Sequence, residues 1–173
     1  MMDNLIPVGA SSVLGAIKRS CPWAEIRLFD TTFYRTEASA SDRDRSDLLQ
    51  VMPVDYASRG LSIKEENVFE DFRRTVKDFK PDIILLSAVE VTFGQGAALL
   101  RAIEDIKPFV IAGGVFAILA PEDVIKEKLI DAVCTAEGED SVPEFLTKFR
   151  KQKDFYGIPG MWFRKGGKII KLR

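Results

Sequence analysis

Residues 82–89 (DIILLSAV) and 109–114 (FVIAGG) are almost continuously apolar. A strand reads this way when both of its faces are covered, which is the condition of strands inside a parallel sheet. Parallel neighbours cannot be joined by a tight turn and need a long crossover, usually a helix. The chain provides the crossovers. Residues 25–30 (EIRLFD) and 132–136 (AVCTA) add two further short strand patterns, and amphipathic segments lie between and around the four runs. Val13 and Ile17 mark a helix over about 11–20. Phe69, Phe72, Val76 and Phe79 mark one over about 65–79, and Leu99, Leu100, Ile103 and Ile106 another over about 95–106. Lys80-Pro81 and Lys107-Pro108 stop two of these helices directly before strands. Pro121 suits the first turn of a helix over about 121–130, and Ser141 with Glu144 reads as a capping box ahead of Val142, Phe145, Leu146 and Phe149. Alternation of this kind predicts right-handed βαβ units in a three-layer α/β/α sandwich around a parallel sheet.

Three segments stand apart from the alternation. Residues 38–47 (ASASDRDRSD) are small, polar and charged, the composition of an exposed loop with a mobile tip. Residues 160–172 (GMWFRKGGKIIKL) alternate around Gly166-Gly167 and predict a β-hairpin. At the other end only Asn4-Leu5-Ile6 precedes Pro7-Val8-Gly9, so the first strand expected of such a sheet is short or missing. In a sheet of order 2-1-3-4-5 the ligand crevice opens beside that strand. The short strand therefore predicts weak ligand binding by these 173 residues and dimerisation or rearrangement near residues 1–10.

Composition narrows the chemistry. The chain carries 25 basic and 26 acidic residues, so nothing electrostatic points to nucleic acid or an anionic membrane as partner. No apolar run approaches the roughly 20 residues that cross a bilayer, and a cytoplasmic location is expected. Histidine is absent, which removes Ser-His-Asp and Cys-His nucleophile systems, imidazole acid–base catalysis and most zinc sites together. The two cysteines, Cys21 and Cys134, are too few for an iron–sulfur cluster ligated by this chain alone. No residue is assigned a catalytic or metal-ligating role, and any reactive group must come from a cofactor or another domain.

The candidate binding residues cluster where predicted strands end. Gly9, before the first helix, permits a sharp turn that exposes helix N–H groups. Ser87 and Val89 lie near the end of one strand with Thr92 after it, and Gly113-Gly114 ends the next, at the edge where open α/β sheets bind ligands. Glu137-Gly138-Glu139-Asp140 ends the last strand and complements the dipole of the helix after it. Gly94-Gln95-Gly96 reads as the flexible opening of a helix, since Leu99 stands where a dinucleotide fingerprint needs its third glycine.

In order along the chain, Pro7-Val8-Gly9, Leu28-Phe29-Asp30, Pro81-Asp82 through Ser87, Ile111-Ala112-Gly113-Gly114, Ile130-Asp131-Ala132-Val133 with Ala136-Glu137-Gly138-Glu139, and Ile158-Pro159-Gly160-Met161 form a series. The series resembles the N-terminal cobalamin-binding domain of cobalamin-dependent radical S-adenosylmethionine enzymes. The resemblance covers essentially the whole chain. Corrinoid proteins of the methionine synthase type carry a D-x-H-x-x-G loop whose histidine ligates cobalt. With its glycine on Gly9, Asn4 and Ile6 occupy the aspartate and histidine positions, so that ligand is lacking.

The resemblance implies a flavodoxin-like (Rossmann-like) fold and a domain over 1–157, followed by a hairpin over 158–173 that leads to a radical-SAM domain. It implies cobalamin bound without a protein histidine, by Pro7, Gly9, Ser87, Val89, Thr92, Gly113, Gly114, Glu137 and Gly138. S-adenosylmethionine, an iron–sulfur cluster and a methyl transfer or related radical reaction would belong to the downstream domain. The rival expectation is a flavodoxin-like regulatory or interaction domain that binds no corrinoid.

Overall fold

The computed structural model describes residues 8–34, 46–49, 52, 55, 57–60 and 62–172. Pro7, the short first strand at 4–6 and residues 38–45 of the expected loop lie outside the described residues. The chain divides into two compact units, one formed by Met1–Ile26 with Pro81–Arg173 and the other by Arg27–Lys80.

The larger unit contains α1 (Val8–Ser20), β1 (Ile83–Ser87), α3 (Glu90–Arg101), β2 (Phe109–Gly113), α4 (Val115–Leu119), α5 (Pro121–Lys126), β3 (Ala132–Cys134), α6 (Gly138–Arg150), β4 (Met161–Lys165) and β5 (Lys168–Lys171). The smaller one contains α2 (Val68–Phe79). The strands form one sheet of order β1-β2-β3-β4-β5. β1, β2 and β3 are parallel, with Ile83 opposite Phe109, Ser87 opposite Gly113, and Ile111 opposite Ala132. β4 and β5 join antiparallel, with Phe163 opposite Ala132 and Lys165 opposite Lys168. The fold is flavodoxin-like α/β with a mixed sheet, and the hairpin turning at Gly166-Gly167 extends that sheet directly.

Alternation along β2 sends successive side chains to opposite faces. Ile111 joins Ala132, Cys134, Met161 and Phe163 beneath α1 and α6, which contribute Ile17, Cys21, Val142, Phe145 and Leu146. Phe145 is fully buried and packs edge-on against Phe155, with Phe109, Phe149 and Phe163 around it. On the other face Leu86 and Ala112 meet Phe93, Phe116, Ala117 and Val124 from α3, α4 and α5, closing without a cavity. The three layers of the expected sandwich are therefore present in this unit.

Four local expectations need correction. Residues 25–30 are extended but form no strand. No described strand lies beside them to complete a ladder, and side-chain packing holds them: Ile26 lies against the core of the larger unit, while Phe29 packs on Tyr34 and Phe72 in the smaller one. The order 2-1-3-4-5 counted that segment as a strand. Ser141 is not an N-cap. α6 begins three residues earlier, after Glu137, and the buried Ser141 hydroxyl donates to the Pro159 carbonyl at 3.2 Å. Gly94-Gln95-Gly96 lies inside α3, which starts at Glu90. A β-carbon at Gly96 would meet Leu86 Cδ1 at 2.8 Å, so this glycine seats the helix closely on β1. Lys80, left-handed at φ 51°, caps α2 before Pro81 as expected, whereas α3 ends at Arg101 and turns at 102–106 lead to Lys107, left-handed at φ 53°.

Within the smaller unit, Asn67 caps α2 by accepting from the backbone of Phe69 and Glu70 at 2.9 and 3.3 Å. The buried Tyr34 hydroxyl donates to Asp71 and accepts from Lys64 at 3.1 Å, and Arg74 also pairs with Asp71. The Tyr34 hydrogen bond, with Arg74 and Lys64 adding charge, holds the Asp71 carboxyl below the usual aspartate range. A depressed carboxyl stabilises the folded form above its ordinary value of about 4, and that contribution disappears as pH falls through the lower folded value. Urea midpoints followed from pH 6 down to pH 2.5 should fall more steeply for the natural chain than for Asp71→Asn. Parallel slopes would show that the carboxylate contributes nothing.

Candidate functional site

β1, β2 and β3 run parallel, so Ser87, Gly113 and Cys134 end at one edge of the sheet and α3, α4 and α6 begin there. α1 joins the same edge. Ser12 of α1 contacts Glu139 at the start of α6, while Cys21 at the end of α1 reaches the Pro143 carbonyl at 3.6 Å, so the two helices run side by side in one direction. The first turns of α1, α3, α4 and α6 therefore frame one crevice, and a helix start is where backbone N–H groups lack intrahelical acceptors.

The expected residues come together there in part. Ser87 is exposed and pairs in register with Gly113. A β-carbon built on Gly114 would lie 3.4 Å from Ser87 Oγ, so these residues are neighbours. Gly9 is exposed in the first turn of α1, with open space where a β-carbon would point. Val89 is 47% exposed and precedes α3. Thr92 is occupied locally: its hydroxyl accepts from the Val89 N–H at 3.1 Å and lies 3.2 Å from the Val89 carbonyl, which secures the first turn of α3. Glu137 is exposed before α6, and Gly138 faces α1, where a β-carbon would meet Val13 Cγ2 at 2.9 Å. Pro7 lies outside the described residues.

The paired glycines serve the strand ends. Gly114 has φ 94°, and a β-carbon there would lie 2.9 Å from the Ala88 carbonyl oxygen. Backbone already fills that direction, and Cys134 Cβ lies 3.8 Å from the equivalent position at Gly113. A ligand thus meets the outer, exposed side of Gly114. The space beneath the edge is closed, and a depression of about 340 Å³ lined by Ser20, Thr147, Lys148, Lys151 and Lys153 lies toward the far ends of α1 and α6.

Sequence reasoning missed the apolar fringe of the crevice. Val8, Val91 and Val115 are 61%, 76% and 59% exposed at the starts of α1, α3 and α4. The available signal was a β-branched residue shortly after a predicted strand or a proline, at the start of each helix, and none of the three was singled out. The fringe, the Ser87 hydroxyl and the exposed backbone at Gly9 and Gly114 suit a flat, largely apolar ligand with hydrogen-bonding groups at its rim. The chain has no histidine to offer a metal at this edge. Cys134 lies in the core beside Ile111 and Met161, where burial pushes its thiol up and the charges of Glu139 and Glu137 act in the same direction. Among the described residues no group of three His, Cys, Asp or Glu side chains is arranged to hold a metal ion.

The B12 binding domain family model matches residues 50–146, more than half of the chain. The chain belongs to the B12-binding domain family. An uncharacterized methyltransferase of Pyrococcus horikoshii is 28% identical over 110 residues, which are 62% of this chain and 24% of that protein. Among solved structures, the radical S-adenosylmethionine methyltransferase TsrM from Kitasatospora setae, with tryptophan substrate and a SAM analogue, superposes with a TM-score of 0.70 at 14% identity, over 97% of this chain and 27% of that one. The same enzyme with cobalamin and a 4Fe-4S cluster gives 0.63 at 14% identity, over 99% of this chain and 27% of that one. At this identity the likeness is one of fold, and this B12-binding domain spans about a quarter of the relatives it matches. No helix among the described residues is long and apolar enough to cross a membrane.

The two glycines make opposite predictions. Gly114→Ala forces a side chain into positive φ and against the Ala88 carbonyl, and should cost about 2 kcal/mol of unfolding free energy. Gly9→Ala sits in an open helical position and should be neutral or stabilising by about 0.5 kcal/mol. Chemical denaturation of both variants checks the pair, and equal effects would contradict the geometry.

Proposed function

We propose that this domain binds cobalamin for a radical-SAM enzyme that carries out methyl transfer or related radical chemistry, with the cluster and S-adenosylmethionine held outside this chain. The observation that carries the reading is the convergence of Ser87, Gly114 and Gly9 on one open sheet edge in a chain of the B12-binding family. Ser87 donates to, or accepts from, the polar rim of the corrinoid. The outer side of Gly113-Gly114 carries the nucleotide tail, and the backbone around Gly9 faces the lower side of the ring. Val89 and Glu137 border the crevice, Thr92 keeps the first turn of α3 in place, and Gly138 seats α1 beside α6. Pro7 belongs to the same set through the family resemblance.

Cobalamin bound here would supply a cobalt centre able to accept and pass on a methyl group. This chain orients it and contributes no imidazole, because it has none. Residues 1–157 form the binding domain in this reading, and 158–173 carry the chain toward the radical-SAM domain. The protein works in the cytoplasm, and a second copy pairs at the N-terminal edge.

The test is binding of hydroxocobalamin. Equilibrium dialysis should show weak but saturable hydroxocobalamin binding, as the short N-terminal strand predicts, and light scattering should give the mass of two chains. Paramagnetic resonance of the Co(II) form should show no splitting that changes when the protein is uniformly labelled with nitrogen-15. Equal cobalamin concentrations on the two sides of the dialysis membrane overturn the cofactor reading in favour of a regulatory domain. Label-dependent splitting overturns the ligation, and a monomer mass overturns the pairing.

A further inference from the structure

Glu139 has no part in the cofactor reading, yet it holds the most distant side-chain hydrogen bond at the crevice. Ser12 Oγ, 127 positions away in sequence, donates to Glu139 Oε1 in the first turn of α6. Beside it, Gly138 allows Val13 to approach so closely that a β-carbon would lie 2.9 Å from Val13 Cγ2. These two contacts join the first half of α1 to the start of α6.

Among the described residues, little beyond these contacts and the packing of Val13 on the core holds the first half of α1. Val8, Gly9, Ser11 and Ser12 are exposed, and the first fully buried side chains are Ala16 and Ile17, about two turns further on. Apolar burial therefore anchors the middle of the helix and leaves its first turn free to fray. A single hydrogen bond to an ionised carboxylate contributes more than one between neutral groups. Glu139 is in that form at neutral pH, since the Ser12 hydroxyl holds its carboxyl below the usual glutamate range.

We propose that Glu139 is a positioning residue: through Ser12 it fixes the first turn of α1 against α6, and so keeps the backbone at Gly9 in place for the corrinoid. The inference rests on the cobalamin reading above. A ligand that needs an ordered first turn binds with an apparent affinity scaled by the fraction of molecules in which that turn is ordered. The Ser12–Glu139 bond raises that fraction without touching the ligand.

The experiment has two arms on the full 173-residue chain. Amide hydrogen exchange over residues 8–14 is measured without cobalamin, and hydroxocobalamin affinity is measured by equilibrium dialysis. Ser12→Ala and Glu139→Ala should each speed exchange in that segment and weaken affinity about fivefold. The double variant should be no weaker than either single one, as expected for two partners in one bond. Glu139→Gln, which keeps an acceptor oxygen, should restore both readouts toward the natural values, a recovery that general destabilisation would not give. Unchanged exchange, unchanged affinity despite faster exchange, additive losses in the double variant, or no recovery with glutamine would each overturn the proposal. If the natural chain binds no cobalamin, the cofactor reading fails and this inference falls with it. Protected exchange in α1 would then show that the helix seam was not the cause.

Discussion

β1, β2 and β3 can lie parallel only if both faces of the sheet are covered, and most of the larger unit follows from that demand. α1 and α6 cover one face over a core centred on Phe145, while α3, α4 and α5 cover the other around Leu86 and Ala112. Parallel strands joined by crossovers bring every strand end and helix start to the same edge. The crevice is therefore a by-product of burial. Residues with no packing role at that edge, such as Ser87 and the exposed valines, are those free to meet a ligand.

The long apolar runs at 82–89 and 109–114 were legible because a two-sided strand needs no context to be recognised. The hairpin was legible from Gly166-Gly167, both of which adopt positive φ. What failed depended on neighbours. Residues 25–30 have the alternation of a strand, but no described strand offers them a ladder. Ser141 has the spacing of a capping box, yet α6 starts at Gly138, where close approach of Val13 favours glycine. Gly94 and Gly96 look like a loop but lie in a helix pressed against Leu86. In the last two cases a glycine or serine reports a contact whose partner lies elsewhere in the chain.

The candidate site was legible to a similar degree and for a related reason. Strand-end positions locate Ser87 and Gly113-Gly114 without knowledge of the packing. The positive φ of Gly114 and its contact with the Ala88 carbonyl are invisible in one dimension. Thr92 was placed at the right edge, but its hydroxyl is already committed to Val89. A small residue at a sheet edge can make room for a ligand or for the protein itself, and only coordinates separate the two.

The two ends of the sheet differ in how completely their backbone groups are satisfied, and this difference supports placing function at one of them. At the amino end, Asp131 accepts from the Val110 N–H at 2.8 Å. The Arg164 guanidinium donates to the carbonyls of Ile125, Glu127 and Ile130, tying β4 to the chain between α5 and β3. Charged side chains spent on backbone groups seal that end, since a buried polar group left unpaired costs about 1–3 kcal/mol. At the carboxyl end the ties lie on the β3–β4 side, where Thr135 and Ser141 reach the carbonyls of Gly160 and Pro159. The ends of β1 and β2 instead present an exposed hydroxyl at Ser87 and exposed backbone at Gly114. One end is closed by side chains that serve the fold, and the other leaves hydrogen-bonding capacity beside apolar surface, the combination that a large amphipathic cofactor would satisfy.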